Sequence, residues 1–260
     1  MQFQNKVAVI TGAASGIGAA CARNFAARGA RVVVADLNAD GAAKVAGEIG
    51  GLGVACDVGQ EADVDRLIAA AEEAYGPVDI MFNNAGVATG SDPLSTDIAV
   101  WQAQWQVNVM AHVYAVRAVL PGMLERGSGY LIHTASMAGI LTSHGNLPYA
   151  ATKHAVVGLA EWLSITYHDK GIRTSLLAPL GVRTPMLGDT DSPFARNAAG
   201  PIKEPEEVAE MVAGAVEDER FLILTDEIAR TWMSFKDNDL ERWLTGMRRL
   251  QAKIESELEA

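Results

Sequence analysis

The five residues Lys6–Ile10, KVAVI, form an apolar run rich in β-branched side chains. They pass straight into Thr11-Gly12-Ala13-Ala14-Ser15-Gly16-Ile17-Gly18 and then the helical AACARNFAARG. A strand, a glycine-rich turn and a helix in immediate succession restrict the chain to few architectures. A continuous apolar strand reads as parallel and buried on both faces. Gly12 permits the tight turn, Gly16 lets backbone approach a pyrophosphate, and Gly18 lets the helix pack on the strand. The helix N-terminus offers free N–H groups and a positive dipole to phosphates. The alternation continues. Strands are predicted at 31–35, 52–56, 78–82, 129–135, 172–178 and 221–224, and helices at 39–49, 61–75, 101–125, 149–168 and 205–217. This is the order of a Rossmann-type α/β fold, a doubly wound parallel sheet of about seven strands with right-handed crossovers. We read residues 1–260 as one domain, with a substrate lid at 187–203 and a C-terminal helical extension at 225–260.

The second predicted strand runs into Asp36 and Leu37, eighteen residues after Gly18. A carboxylate there accepts from the ribose hydroxyls of an adenosine and repels a 2′-phosphate. No Arg or Lys lies in the glycine turn or directly after Asp36, so the pattern points to NAD rather than NADP. The net charge of −11 argues against a nucleic-acid or anionic-membrane partner. Cys21 and Cys56 read as buried reduced thiols, which suits a cytoplasmic setting. No Cys/His cluster suggests a metal. The N-terminus does not resemble a signal peptide, and no run approaches the ~18 apolar residues of a membrane span.

Tyr149 and Lys153 are four residues apart. If Tyr149 opens a helix, their side chains share a face, with Cβ atoms ~5–6 Å apart. A phenol is a poor base near pH 7, and a fixed neighbouring cation is expected to lower its pKa. Tyr149 then exchanges a proton with an alcohol or carbonyl, and Ser136, at the end of the predicted fifth strand, holds the same oxygen. Ser136, Asp36 and Asn84 all fall at carboxyl ends of strands, where ligands bind in such sheets.

Taken together, TGAASGIG at 11–18, Asp36, Asp57-Val58, Asn83-Asn84-Ala85-Gly86, Asn108, Ser136 and Tyr149-Ala-Ala-Thr-Lys153 resemble the classical short-chain dehydrogenase/reductase family. The resemblance covers roughly residues 5–186. It implies that Asp57 accepts from the adenine amino group with Val58 beside the ring. Asn84, Ala85 and Gly86 would line the adenosine side. Asn108 would bend a helix and hold a water, completing a tetrad with Ser136, Tyr149 and Lys153. Lys153 and Tyr149 would also meet the nicotinamide ribose, and Gly12, Ser15, Gly16, Ile17, Gly18, Asp36 and Leu37 the nucleotide. Pro179, Gly181, Val182 and Thr184 would bind the carboxamide and pyrophosphate. In this segment the family usually has Pro-Gly, whereas here Leu180 intervenes. The implied activity interconverts a fairly apolar secondary alcohol and its ketone, in a homo-oligomer (dimer or tetramer; a homotetramer is expected). A non-catalytic NAD-sensing or scaffold protein on the same fold is the alternative.

Three histidines flank the tetrad. His133 reads as a satisfied core residue and His154 as pointing off the catalytic face, while His144 is within reach of a substrate cavity. The family's usual C-terminal ending is missing. Its place is taken by a tail with Trp232, Met233, Phe235, Trp243, Leu244 and Met247 at helical spacing. The tail is either a cover or subunit contact, or a wall of the substrate pocket.

Overall fold

A computed structural model describes residues 1–259. Seven parallel strands, β1 (Val7–Thr11), β2 (Arg31–Asp36), β3 (Leu52–Ala55), β4 (Ile80–Asn83), β5 (Gly129–Thr134), β6 (Ile172–Ala178) and β7 (Leu222–Leu224), form one sheet in the order β3-β2-β1-β4-β5-β6-β7. The expected strands are all present, with ends moved by up to two residues. The central β1, β4 and β5 are buried along their whole length because helices cover both faces. On one face lie α1 (Gly16–Ala27), α2 (Ala39–Ile49) and α8 (Pro205–Glu217), packed on Ile10, Val34, Phe82 and Ile132. On the other lie α3 (Glu61–Tyr75), α5 (Ala111–Arg126) and α6 (Leu147–Tyr167), packed on Val9, Val33, Met81 and Leu131.

The strand order reverses between β1 and β4. The loops after these two strands therefore diverge and leave a crevice at the carboxyl edge. Thr11 ties its two sides, its hydroxyl oxygen accepting from the N–H groups of Asn84 and Ala85, each at 3.1 Å.

The single helix expected at 101–125 has three parts: α4 (Ile98–Trp105), a π-turn at Gln106–Met110 and α5. Asn108 sits in the π-turn, and π-turns often mark functional positions. The run Ile98–Arg126 is long and apolar enough to pass as a membrane span by composition, contrary to expectation. Its inner face packs against the sheet and α3, which explains its apolar character without a bilayer. The segment expected as a lid contains α7 (Pro193–Ala198). The tail forms two helices, α9 (Ile228–Asn238) and α10 (Leu240–Glu259).

Candidate active site

One cleft of about 1290 Å³ runs along the carboxyl edge. Its nucleotide end is built from backbone. Gly12 (φ +63°) lies so close to β4's exit that a Cβ on it would stand 2.7 Å from the Ala85 Cα. A Cβ on Gly18 would stand 2.4 Å from the Gly12 carbonyl oxygen. A side chain at either position would push the turn or helix into the space a dinucleotide needs. The Asp36 carboxylate accepts from the N–H groups of Ala14 (3.0 Å) and Asn38 (2.9 Å), which fix it beside the turn. Asp57 accepts from the Gly59 N–H at 2.9 Å. Among the described residues, only Lys153 and Arg242 bring positive charge to the cleft lining, and neither neighbours Asp36 in the chain.

The expected cofactor residues all line this cleft except Gly18, which lies beneath the turn. Asn84 departs in detail. Its side-chain amide donates to the carbonyls of Thr11 (3.0 Å) and Gly12 (3.3 Å), and its side-chain oxygen accepts from the Thr134 hydroxyl (3.2 Å). Its side chain therefore acts as a strut between β1, β4 and β5 more than as a ligand group.

In the middle of the cleft stand Ser136, Tyr149 and Lys153. Asn146 caps α6 by accepting from the Tyr149 N–H at 3.0 Å, and Pro148 fits the first turn. Tyr149 is thus fixed in the first helical turn, with Lys153 one turn on. The Lys153 ammonium lies 5.7 Å from the Tyr149 ring centroid and donates to the Thr134 carbonyl at 2.8 Å. Ser136, at the exit of β5, accepts from the Ala138 N–H and lines the cleft with Tyr149.

The electrostatics correct one expectation. Burial raises the Tyr149 pKa above its ordinary value, and the Ser136 hydroxyl only partly opposes it. Lys153 does not reverse this because it too is buried, which pushes its own pKa down to about 8. In the chain by itself, desolvation dominates both groups.

Asn108 is brought close but does not line the cleft. Its side chain exchanges two hydrogen bonds with the Val87 backbone (2.8 and 2.9 Å) and donates to the Thr152 hydroxyl (3.1 Å). Both amide hydrogens are used, so its side chain has no donor left for the expected water.

His133 is buried as expected but not fully satisfied. Its Nδ1 meets His112 Nδ1 at 2.9 Å, and the Nε2 of each ring has no partner among the described residues. Burial pushes His133 down to about 3 and His112 well below the ordinary range, so one neutral ring donates to the other. His154 bonds the Ala150 carbonyl within its own helix. His144 lines the cleft, and its Nδ1 is engaged by Gln251 of α10 at 2.8 Å. Cys21 and Cys56 are free and buried as expected, and burial pushes the Cys56 thiol up to about 12.

The far end of the cleft is lined by the tail. Trp232, Phe235, Trp243, Met247 and Leu250 line it together with Leu141, Met186, Leu187 and Phe194. The tail both covers a core cluster, with Trp232, Met233 and Trp243 packed on Met137, Leu141 and Ala178, and lines the cleft. Sequence reasoning left unmarked Thr134, Asn146 and Thr152, which tie down Lys153, Tyr149 and Asn108 respectively. Only Asn146 carried a local signal, a capping residue two positions before a proline.

The family model for short chain dehydrogenase matches residues 6–193. The chain belongs to the short-chain dehydrogenase family. This dehydrogenase is 36% identical over 251 residues to a 1-deoxy-11-beta-hydroxypentalenate dehydrogenase of Streptomyces exfoliatus, covering 93% of this chain and 90% of that one. It is also 36% identical over 228 residues to a cyclohexanol dehydrogenase of an Acinetobacter strain, covering 84% and 90%. A crystal structure of a short-chain dehydrogenase/reductase from Burkholderia phymatum, in complex with NAD, superposes with a TM-score of 0.85 at 32% identity over 93% of this chain and 96% of that one.

Proposed function

We propose that this oxidoreductase uses NAD to oxidise a cyclic or otherwise bulky apolar secondary alcohol to its ketone: R2CHOH + NAD⁺ → R2CO + NADH + H⁺. The observation that carries the reading is a single cleft holding all three parts. A glycine turn and ribose carboxylate stand at one end, Ser136, Tyr149 and Lys153 in the middle, and a tryptophan-lined wall at the other. NAD, when bound, supplies the hydride acceptor. Tyr149 takes the hydroxyl proton, and Ser136 holds the alcohol oxygen in line with it. Lys153, buried and anchored on the Thr134 carbonyl, places its ammonium beside the phenol and favours the anion formed there. The glycine turn and Asp36 hold the dinucleotide, and the absence of a cation beside Asp36 favours NAD over its 2′-phosphate form. Ketone reduction is the same reaction reversed on the same residues. A homotetramer in the cytoplasm completes the reading. The exposed Trp162 and Ile165 on α6 suit subunit contact.

The test is a panel of secondary alcohols with NAD⁺, from 2-propanol to cyclohexanol and larger ring alcohols, read by nicotinamide absorbance. Turnover of the ring alcohols is expected. Tyr149→Phe is expected to lose at least ~10²-fold in turnover while NAD binding survives. NAD bound with no turnover across the panel would return the non-catalytic alternative.

A further inference from the structure

The turn that follows Ser136 is held from outside. It is a single 3₁₀ turn, Met137–Gly139, closed by hydrogen bonds from the N–H groups of Ile140 and Leu141 to the Met137 carbonyl (3.1 and 2.7 Å). At its start, the Met137 N–H is fixed on the Pro179 carbonyl at 3.0 Å. At its end, the carbonyls of Ile140 and Leu141 accept from no backbone N–H among the described residues. Both accept instead from the Lys236 ammonium of α9, at 2.5 and 3.1 Å. That ammonium lies 5.2 Å from the Trp243 ring centroid of α10, and burial lowers its pKa. Around it, Met137 and Leu141 pack with Ala229, Trp232, Met233 and Trp243. An ammonium on the orphan carbonyls of a turn acts as a C-terminal cap supplied by another element.

We infer that Lys236 is a positioning residue for Ser136, acting through this turn, so that the C-terminal helix pair belongs to the catalytic apparatus as well as to the pocket wall. The segment between Ser136 and Tyr149 carries a reactive group at each end. The tail grips it twice, Lys236 at residues 140 and 141 and Gln251 at His144. Without Lys236, the far end of the turn keeps its own two closing bonds and its apolar packing, and the Ser136 hydroxyl loses part of the frame that holds it in the cleft beside Tyr149. Small errors of aim at a reacting oxygen are costly, because orientation is a large part of the rate.

The inference rests on the dehydrogenase reading, and two measurements separate their failures. In the protein without substrate, Lys236→Met is expected to speed hydrogen exchange of the amides at 137–142 by about tenfold and to leave β1 and β4 unchanged. In turnover of a ring alcohol, Lys236→Met is expected to lower kcat by about tenfold with the KM for NAD within about twofold, and Lys236→Arg to restore most of it. On a Ser136→Ala background the same change should cost almost nothing more. If Lys236→Met fails to fold, Lys236→Gln must show the same pattern. Unchanged exchange at 137–142, a kcat within about twofold of wild type, or an additive loss in the double variant overturns the inference. A wild-type protein silent across the alcohol panel defeats the dehydrogenase reading instead, while the exchange measurement still decides whether Lys236 holds the turn.

Discussion

At the nucleotide end of the cleft, position is set by backbone. Gly12 and Gly18 leave no room for a Cβ, and Asp36 is fixed by two main-chain N–H groups. Gly12 follows β1, which is buried along its whole length, and Asp36 ends β2, whose four central residues are buried. At the far end, where the alcohol is proposed to bind, position is set by side chains on two helices that barely enter the core. In α9 and α10, Ala229 and Ile254 are the only fully buried residues. The tail is held by Lys236 on two carbonyls, by Gln251 on His144, and by Glu257 on Arg196 and Asn197. Most of these ties are partly exposed, and such ties are individually weak. The difference teaches why one end can be generic and the other specific. Backbone cannot change with sequence without breaking the fold, whereas a wall of half-buried side chains can be exchanged at modest cost.

Substitutions at the two ends should therefore fail differently. Asp36→Ala acts at the rigid end. It is expected to shift the preference between NAD and NADP by about tenfold or more toward NADP, read as the ratio of kcat/KM values, with the alcohol KM unchanged. An unchanged ratio would remove Asp36 from the ribose. Met247→Ala acts at the soft end. It should raise the KM for a ring alcohol about three- to tenfold, as loss of partly buried apolar contact does, and leave the KM for NAD and the melting temperature nearly unchanged. If the NAD KM rose as much as the alcohol KM, the two ends would not be independent.

The smallest effect lies at the seam between them. Lys153 has a folded pKa near 8 against an ordinary 10.5. Above about pH 8 the folded chain sheds this proton, while the unfolded chain keeps it to about 10.5. The unfolded state then binds more protons, so the Lys153 contribution to stability rises with pH across that window, and below it the group imposes a constant cost. Lys153→Met should flatten this rise and stabilise the protein without cofactor by ~1 kcal/mol at pH 7, measured by urea unfolding. A destabilised Lys153→Met at pH 7 would mean that the bond to the Thr134 carbonyl outweighs burial of the charge.

Whatever repeats locally was legible in the chain. Apolar β-branched runs, glycines at required turns and helical periodicity each act over a few residues, so β1–β7, the dinucleotide turn and the Tyr149–Lys153 spacing could be read directly. The π-turn around Asn108 could not be read from periodicity, although the family resemblance implied a bend there, because side-chain bonds to Val87 and Thr152, far away in sequence, accompany it. Nor could the direction of the Tyr149 pKa be read. Spacing shows that a lysine is near, but only packing shows that Lys153 is buried and Tyr149 partly so, where desolvation outweighs their attraction. The placement of α9 and α10 is of the same kind. An amphipathic pattern states that a face will be covered and leaves open by what. Only the folded chain, with Lys236 beneath Trp243 and against the turn after Ser136, decides that this face packs beside the cleft and lines its far end.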